Sequence, residues 1–132
     1  MAKLFKLAEA KQLGLPGRRA LEIVSGDRGS RNVTLRLAEI PVAQPEQASR
    51  APHHHSEFEE CIYVLSGEGT TFADSGEYRL KPGDTLLMPA GENHVTRNTG
   101  TQPLLLLCFF PVGDIYAGTH EPGVSSVPSK KS

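Results

Sequence analysis

Glycine and proline divide most of this chain into short apolar segments, and their spacing limits the folds open to it. The breaks in the central part are Ser66-Gly67, Asp74-Ser75-Gly76, Lys81-Pro82-Gly83, Pro89-Ala90-Gly91 and Thr99-Gly100. Turn signals at intervals of about 8 to 12 residues favour an antiparallel sandwich or barrel made of short strands. We therefore expect an all-β protein.

The segments between these breaks have the composition and period of strands. Residues 33–40 alternate apolar and polar side chains, as a half-buried strand does, and 104–110 is an apolar run between two prolines. Asp74-Ser75-Gly76 is typical of a hairpin turn. At the N-terminus, the spacing of apolar residues predicts a short helix over 3–13. The predicted strands are 20–24, 33–40, 53–55, 58–65, 69–73, 77–80, 84–88, 93–98 and 104–110.

Length and charge restrict the domain organisation and the partners. The 132 residues suit one domain, which we place at 1–120 with a barrel core over about 20–112 and a loose tail over 121–132. With 14 basic and 15 acidic residues and no basic run, the chain lacks the signature of nucleic-acid binding.

The sequence also predicts where in the cell the protein is located. The longest apolar run is too short to cross a membrane, and charged residues interrupt the N-terminus, so we expect a cytoplasmic protein that does not associate with a membrane. Cys61 and Cys108 lie in strand-like runs, and we expect two reduced, buried thiols.

Two polar clusters stand out against this apolar background. The first is His53-His54-His55 followed by Glu59-Glu60. On an extended chain, His53 and His55 share a face about 6.6 Å apart, close enough to converge on one metal ion, whereas His54 points away. Glu60 shares a face with Ile62 and Val64, and Glu59 shares the opposite one with Cys61. Parity alone does not choose between the two glutamates.

The second cluster contains His94, which follows Pro89-Ala90-Gly91. The Pro-x-Gly spacing predicts a tight bend that aims this imidazole inward. Together the clusters offer three imidazoles and a carboxylate, a donor set that suits one divalent metal ion.

The spacing of both clusters resembles the two motifs of the cupin superfamily. The first motif is His53-x-His55-x4-Glu60-x6-Gly67, and the second is Gly83-x5-Pro89-x-Gly91-x2-His94-x3-Asn98. Fifteen residues separate Gly67 from Gly83, as in compact microbial cupins. One departure is Gln47, where the family often has glycine six residues before the first histidine. This departure affects the shape of the loop before His53 and leaves the ligand positions intact.

The resemblance implies a small jelly-roll β-barrel, the double-stranded β-helix, with one metal ion at its mouth. It also implies the ligand set His53, His55, Glu60 and His94, with His54 excluded and Glu59 on the outer face. Ligands of this kind suit Mn, Fe, Ni, Cu or Zn as a divalent ion. Thr96, Asn98 and backbone carbonyls are candidate partners for the imidazoles, and for Asn98 the alternative is to hold the turn after its strand.

The resemblance further implies an enzyme in which the ion acts as a Lewis acid on a small oxygen-rich substrate, such as a sugar acid or a hydroxy or keto acid. The reaction would be of isomerase or lyase type, with Fe(II)-dependent dioxygenation as the alternative. A non-catalytic sensor or small-molecule-binding cupin is the alternative of another class, and a storage barrel is a third.

Outside the motifs the sequence offers few further site candidates. Arg28, Arg31 and Arg36 are candidates for binding a substrate carboxylate, although solvated surface arginines would look the same. Glu60 and Tyr116 are the catalytic candidates, and Tyr116 would otherwise cover the mouth of the barrel or simply pack. Because a sheet this small has edges to protect, we expect a homodimer.

Overall fold

In a computed structural model, which describes residues 1–45 and 50–121, the chain is built from antiparallel strands joined by tight turns. Gln47 and residues 122–132 of the predicted tail lie outside the described residues. Short 3-10 helices occupy Leu7–Glu9, Gly26–Arg28 and Tyr116–Gly118. The strands are β1 (Lys11–Leu13), β2 (Arg19–Val24), β3 (Thr34–Ile40), β4 (His54–His55), β5 (Glu60–Ser66), β6 (Gly69–Ala73), β7 (Gly76–Leu80), β8 (Thr85–Met88), β9 (His94–Asn98), β10 (Leu104–Phe110) and β11 (Thr119–His120).

The strands form two layers, as the predicted jelly roll requires. One layer is a six-stranded sheet with the order β1-β2-β3-β10-β5-β8. The other consists of a three-stranded sheet, β7-β6-β9, and a two-stranded sheet, β11-β4. An isolated antiparallel bridge between His53 and His94 connects these two smaller sheets. The all-β jelly roll predicted from the sequence is confirmed.

The core follows from the two-residue period of the strands. In β5, Glu60, Ile62 and Val64 are buried and alternate with side chains that are more exposed. Ile62 and Val64 of this layer pack with Leu80 of the other layer, so the apolar cluster lies between the sheets. The members of this cluster are Ile40, Ile62, Val64, Leu80, Leu104 and Leu106.

The predicted helix over 3–13 is wrong. Only Leu7–Glu9 are helical, as a single 3-10 turn, and Lys11–Leu13 form a strand instead. A short isolated helix is marginal in water, whereas β1 satisfies its backbone groups by pairing with β2 and buries Leu13. Leu4 and Leu7, which set the helical period, remain exposed. Tertiary pairing therefore overrides the local pattern.

The structure also bears on the expectations for membrane association and for the two cysteines. Among the described residues, none of the helices has the length and apolar character needed to cross a membrane. Cys61 and Cys108 are both free, and each is partly buried rather than fully enclosed. The cytoplasmic location and the domain limits 1–120 stay predictions of the sequence.

Candidate metal centre

The backbone bridge between His53 and His94 brings the two sequence clusters together. The amide of each residue donates a hydrogen bond to the carbonyl of the other, with N···O distances of 2.8 Å. Directly opposed residues of an antiparallel pair place their side chains on the same face, and the two ring centroids are 4.3 Å apart. Gly91 makes the preceding bend with φ +87°, and its amide donates to the His55 carbonyl. The bend predicted from Pro89-x-Gly91 is confirmed.

His55 joins them because it lies two residues beyond His53 on the same face. Its ring centroid is 5.1 Å from that of His53 and 5.6 Å from that of His94. Phe58 and Phe110 pack against it, with centroid distances of 5.1 and 5.2 Å. These aromatic contacts hold the imidazole of His55 in a buried position.

His54 points to the opposite face, as the parity of an extended chain predicts. Its Nδ1 lies 3.0 Å from Asn93 Oδ1, and its ring stacks on that of His120. His54 is therefore a surface residue outside the cluster.

Glu60 reaches the cluster from the opposite layer. Its Oε1 lies 3.2 Å from His55 Nε2 and 3.4 Å from His94 Nε2, and Glu59 is exposed. The ligand atoms of His53, His55, Glu60 and His94 all lie within 4.8 Å of one another. The structure thus brings together the four residues that the resemblance implied and separates them from His54 and Glu59.

A hydrogen-bond relay sets the tautomer of His55. The Thr119 hydroxyl donates to the Ile115 carbonyl, so its oxygen must accept from His55 Nδ1–H, 2.8 Å away. This assignment leaves the Nε2 lone pair of His55 pointing at the centre. An oriented imidazole of this kind is typical of metal ligands.

His94 is oriented in the same way by the backbone. Its Nδ1–H donates to the Glu92 carbonyl at 3.0 Å, which leaves Nε2 as a lone pair directed at Glu60. Two nitrogen lone pairs therefore face a carboxylate oxygen, an arrangement that is repulsive unless a cation or a proton lies between them.

The residues present fit a divalent metal ion. His53 Nδ1, His55 Nε2, Glu60 Oε1 and His94 Nε2 are all buried without a hydrogen-bond partner, although the last three approach one another closely. Two ligands bound to one ion at about 2.1 Å are separated by about 3.0 to 3.4 Å. The separations of 3.2 and 3.4 Å between Glu60 Oε1 and the Nε2 atoms of His55 and His94 match this spacing.

The pKa shifts of His53 and Glu60 agree with this fit. Burial, and then the neighbouring His94, lower the pKa of His53 to about 2, so its imidazole is neutral. Burial raises the pKa of Glu60, but contact with His55 and His94 outweighs it and holds the pKa below its usual range. Burial lowers the pKa of His94, but contacts with Glu60 and with the Glu92 carbonyl outweigh it and raise this pKa above its usual value. The proton that the raised pKa favours on His94 would be released when a metal binds.

The centre opens into a cavity of about 70 Å³ between the sheets. Ile62, Leu106 and Phe110 form apolar parts of its wall, and Arg18, Arg36, Arg50 and Tyr116 form polar parts. Cys108 also lines it, but burial and then the charge of Glu60 raise the pKa of its thiol. Among the described residues, the ligand atoms that lie within 4.8 Å of one another belong to histidine and glutamate, so the donor set contains nitrogen and oxygen only.

Of the three arginines predicted to bind substrate, only Arg36 lines this cavity. Its Nη2 and Nε lie 3.0 and 3.2 Å from Glu22 Oε2, and its guanidinium packs against the Phe110 and Tyr116 rings. Arg31 is exposed and is not part of the cavity wall, and Arg28 donates to the Glu9 carbonyl. Glu22 already neutralises the charge of Arg36.

Two residues predicted as candidate partners of the imidazoles have other roles. Asn98 donates its amide hydrogens to the carbonyls of Ile40 and Gln102 and accepts from Gly100, so it holds the turn after β9. Thr96 bonds to the Thr71 hydroxyl. The observed partners of the imidazoles are the Thr119 hydroxyl and the Glu92 carbonyl. The sequence predicted a backbone carbonyl in this role but not Thr119. No motif in the sequence marks Thr119.

Comparison with known proteins identifies relatives of this chain. A family model described as "Cupin domain" matches residues 42–110. An uncharacterised protein of Aquifex aeolicus is 35% identical over 52% of this chain and 56% of its own length. Quercetin 2,3-dioxygenase of Bacillus subtilis is 29% identical over 89% of this chain and 40% of its own length. The chain thus spans about half the length of the curated relatives it matches.

Solved structures show the same fold. A proposed sugar phosphate isomerase from Acidithiobacillus ferrooxidans has a TM-score of 0.62 and 28% identity, over 80% of this chain and 69% of that one. Oxalate decarboxylase of Lactobacillus farciminis, in a formate complex, has a TM-score of 0.72 and 17% identity, over 87% of this chain and 34% of that one. The second likeness concerns the fold alone.

Proposed function

The chain belongs to the cupin family, and from that premise we propose that it is a metal-dependent enzyme acting on a small oxygen-rich acid. The substrate would be a sugar acid or a hydroxy or keto acid, and the reaction of isomerase or lyase type. The observation that carries the proposal is the buried cluster of four residues whose ligand atoms lie within 4.8 Å of one another, beside a cavity lined by arginines; Nε2 of His55, Oε1 of Glu60 and Nε2 of His94 have no hydrogen-bond partner there.

Each residue of the centre has a distinct task in this proposal. His53, His55 and His94 would hold one divalent ion of Mn, Fe, Ni, Cu or Zn, and Glu60 would add the negative charge that strengthens binding. The ion would supply Lewis acidity that stabilises negative charge on the substrate oxygens. Ile62 and Leu106 are buried apolar residues of the wall, and water excluded by such residues would strengthen the electrostatic interactions inside.

Proton handling falls to residues that border the same cavity. Glu60 is ionised and can accept a proton, and Tyr116 offers a phenol at the cavity wall. Arg36 forms an ion pair with Glu22, and its guanidinium packs against the Tyr116 ring at the cavity wall. We retain Glu60 and Tyr116 as the catalytic candidates, with Arg36 as a candidate substrate-binding residue.

The deciding experiment is elemental analysis of the protein purified without a histidine tag. We expect about one transition metal ion per chain, lost in His94→Ala and kept in His54→Ala, whose imidazole faces the surface. Circular dichroism should show an intact fold in both variants. Turnover of sugar acids and small hydroxy acids should follow the metal content. Failure of the wild-type protein to take up any metal on reconstitution would overturn the proposal.

Dioxygenase activity is the second candidate. It is supported by the similarity to quercetin 2,3-dioxygenase, which extends over 89% of this chain. The Fe(II)-loaded protein would then consume oxygen together with its substrate and show no activity under anaerobic conditions. Turnover that proceeds equally without oxygen would instead support isomerase or lyase chemistry. Metal and ligand binding with no turnover at all would indicate a sensor or binding module.

A further inference from the structure

Two arginines on the cavity wall share one carboxylate of the chain itself. Arg18 Nη1 and Nη2 lie 2.9 and 3.1 Å from the two carboxylate oxygens of Glu121, and Arg50 Nη2 lies 3.7 Å from one of them. All three residues line the cavity that contains the metal centre. A fork of this kind is the geometry with which proteins recognise carboxylates.

The charges within this group of three do not balance, although Glu60 also acts on Arg50, more weakly than Glu121 does. Two guanidinium groups face one carboxylate, and their side chains are only 10% and 12% exposed, with that of Glu121 at 4%. The Nε–H of Arg50 is buried and has no hydrogen-bond partner. Burial and the charge of Arg18 also lower the pKa of Arg50 to about 10. The pair therefore has capacity for more negative charge than Glu121 supplies.

The backbone is shaped to bring these two arginines together. Gly17 has φ +73°, and a Cβ at this position would lie 2.6 Å from both Cγ and Cδ of Arg50. Any other residue would be strained by its conformation and would also collide with the Arg50 stem. The turn that carries Arg18 thus needs glycine in order to admit Arg50 beside it.

The arginine pair is also close to the metal centre. Arg50 precedes the first ligand by three residues, and its charge contributes to lowering the pKa of His53. The cavity of about 70 Å³ is small beside the roughly 300 to 1,000 Å³ of most ligand pockets. While Glu121 occupies the cavity, a sugar acid does not fit in it. Movement of the Glu121 side chain out of the cavity would enlarge the cavity and leave two cationic groups free to bind an anion.

We propose that Arg18 and Arg50 form a carboxylate-binding subsite, which Glu121 fills in the free protein and from which an acidic ligand displaces it. The ligand class is a small carboxylic acid bearing a hydroxyl or keto oxygen, whose carboxylate binds the arginines while the other oxygen faces the metal centre. This placement of the ligand rests on the proposed function. The exchange of one carboxylate for another does not.

The test is a titration of chelator-treated protein with glycolate, followed by the side-chain Nε–H signals of Arg18 and Arg50 in NMR spectra. Glu121 is an intramolecular competitor, so Glu121→Gln should tighten glycolate binding at least tenfold. Arg18→Gln and Arg50→Gln should weaken it at least tenfold. Ethylene glycol, the neutral analogue, should not bind. The surface pair Arg19 and Glu39 supplies matched controls, and Arg19→Gln and Glu39→Gln should leave the affinity unchanged.

Each contrary result has a definite meaning. If saturating glycolate leaves the Arg18 and Arg50 signals of the wild-type protein unmoved, the pair is a structural ion pair and the subsite is overturned, even where a variant fails to fold. Equal glycolate affinity in wild type and Glu121→Gln would overturn the displacement. Metal uptake by the same preparations, after the chelator is removed and metal is added back, separates the two proposals. Glycolate binding without metal uptake contradicts only the proposed function, and metal uptake without glycolate binding contradicts only the subsite.

Discussion

Thr119 decides which nitrogen of His55 faces the metal centre, although the two residues are 64 positions apart in the chain. Its hydroxyl hydrogen is committed to the Ile115 carbonyl, so its oxygen can only accept from the imidazole. The free lone pair of His55 is therefore directed inward before any metal binds. Mutation of such outer partners typically lowers metal affinity by about 10- to 100-fold.

The residue-scale prediction is that Thr119→Val weakens metal affinity about 10- to 100-fold, because His55 loses the acceptor that orients it. Thr119→Ser retains the hydroxyl and should stay close to wild type. Competition with a chromophoric chelator measures both. Thr71→Val is the matched control, since Thr71 bonds to Thr96 and touches no imidazole hydrogen bond. Wild-type affinity in Thr119→Val would contradict the assigned tautomer.

At the scale of elements, the connection between β5 and β6 depends on Gly67. Its φ is +81°, and a Cβ there would lie 2.4 Å from the Pro103 carbonyl oxygen. Gly83 has a similar φ of +92°, but a Cβ at that position would meet open space. Substitution of Gly83 would therefore measure the cost of the left-handed conformation alone. Substitution of Gly67 would measure that cost together with the cost of a steric clash.

We predict that Gly83→Ala destabilises the protein by about 1 to 2 kcal/mol, the cost of a left-handed alanine. Gly67→Ala should cost about 1 to 3 kcal/mol more, because the clash is with backbone that cannot rotate away. Urea denaturation at constant m-value measures the free energy of unfolding of each variant. Equal destabilisation would show that the β5–β6 turn relaxes around the added methyl group.

At the scale of the whole molecule, the metal centre connects the two layers. Glu60 comes from β5 of the six-stranded sheet, whereas His55 and His94 come from β4 and β9 of the opposite layer. An ion held by both layers would bind the folded state and not the separated sheets. Metal binding should therefore raise the free energy of unfolding of the whole domain.

We predict that removing the metal with a chelator lowers the melting temperature by roughly 10 °C. At a free metal concentration of 100 times Kd, binding contributes about 2.7 kcal/mol, and about 1 kcal/mol shifts the midpoint of a domain of this size by roughly 4 °C. Calorimetry with and without chelator provides the measurement. The melting temperature of His94→Ala should not change with chelator. A change as large as that of the wild-type protein would show that the metal stabilises the protein from another site.

The outer face of the six-stranded sheet supports the proposed homodimer. Tyr63, Leu65, Leu87 and Phe109 are large apolar residues on neighbouring strands of that sheet, and Leu87 is 56% exposed. A patch of this kind usually marks an interface. We therefore expect the subunits to join through this face of the sheet.

We predict a dimeric mass by light scattering at micromolar concentration, and a monomeric mass for Leu87→Glu, because a charge would be buried in the interface. Leu4→Glu is the control, since Leu4 is even more exposed than Leu87 but precedes the sheet. A monomeric wild-type protein would rule out the dimer.

The sequence by itself determined most of the fold. Two-residue alternation and glycine-proline turns are local signals, so β6 and β10 were predicted at their observed limits of 69–73 and 104–110, and most other strands within two residues. Parity separated His54 from its neighbours for the same reason, since a strand allows only two faces. Choosing Glu60 over Glu59 required the family spacing, because the turn before β5 cannot be counted from pattern alone.

Only the tertiary structure decided the rest, because those features depend on residues distant in sequence. The N-terminal segment becomes a strand because β2 offers it an edge, which no local period reveals. Thr119 meets His55, and Arg18 meets Glu121 across 103 positions, through closure of the barrel. Local sequence thus determined which residues could bind a metal, and the packing of the two layers decided which groups orient them and which charges line their cavity.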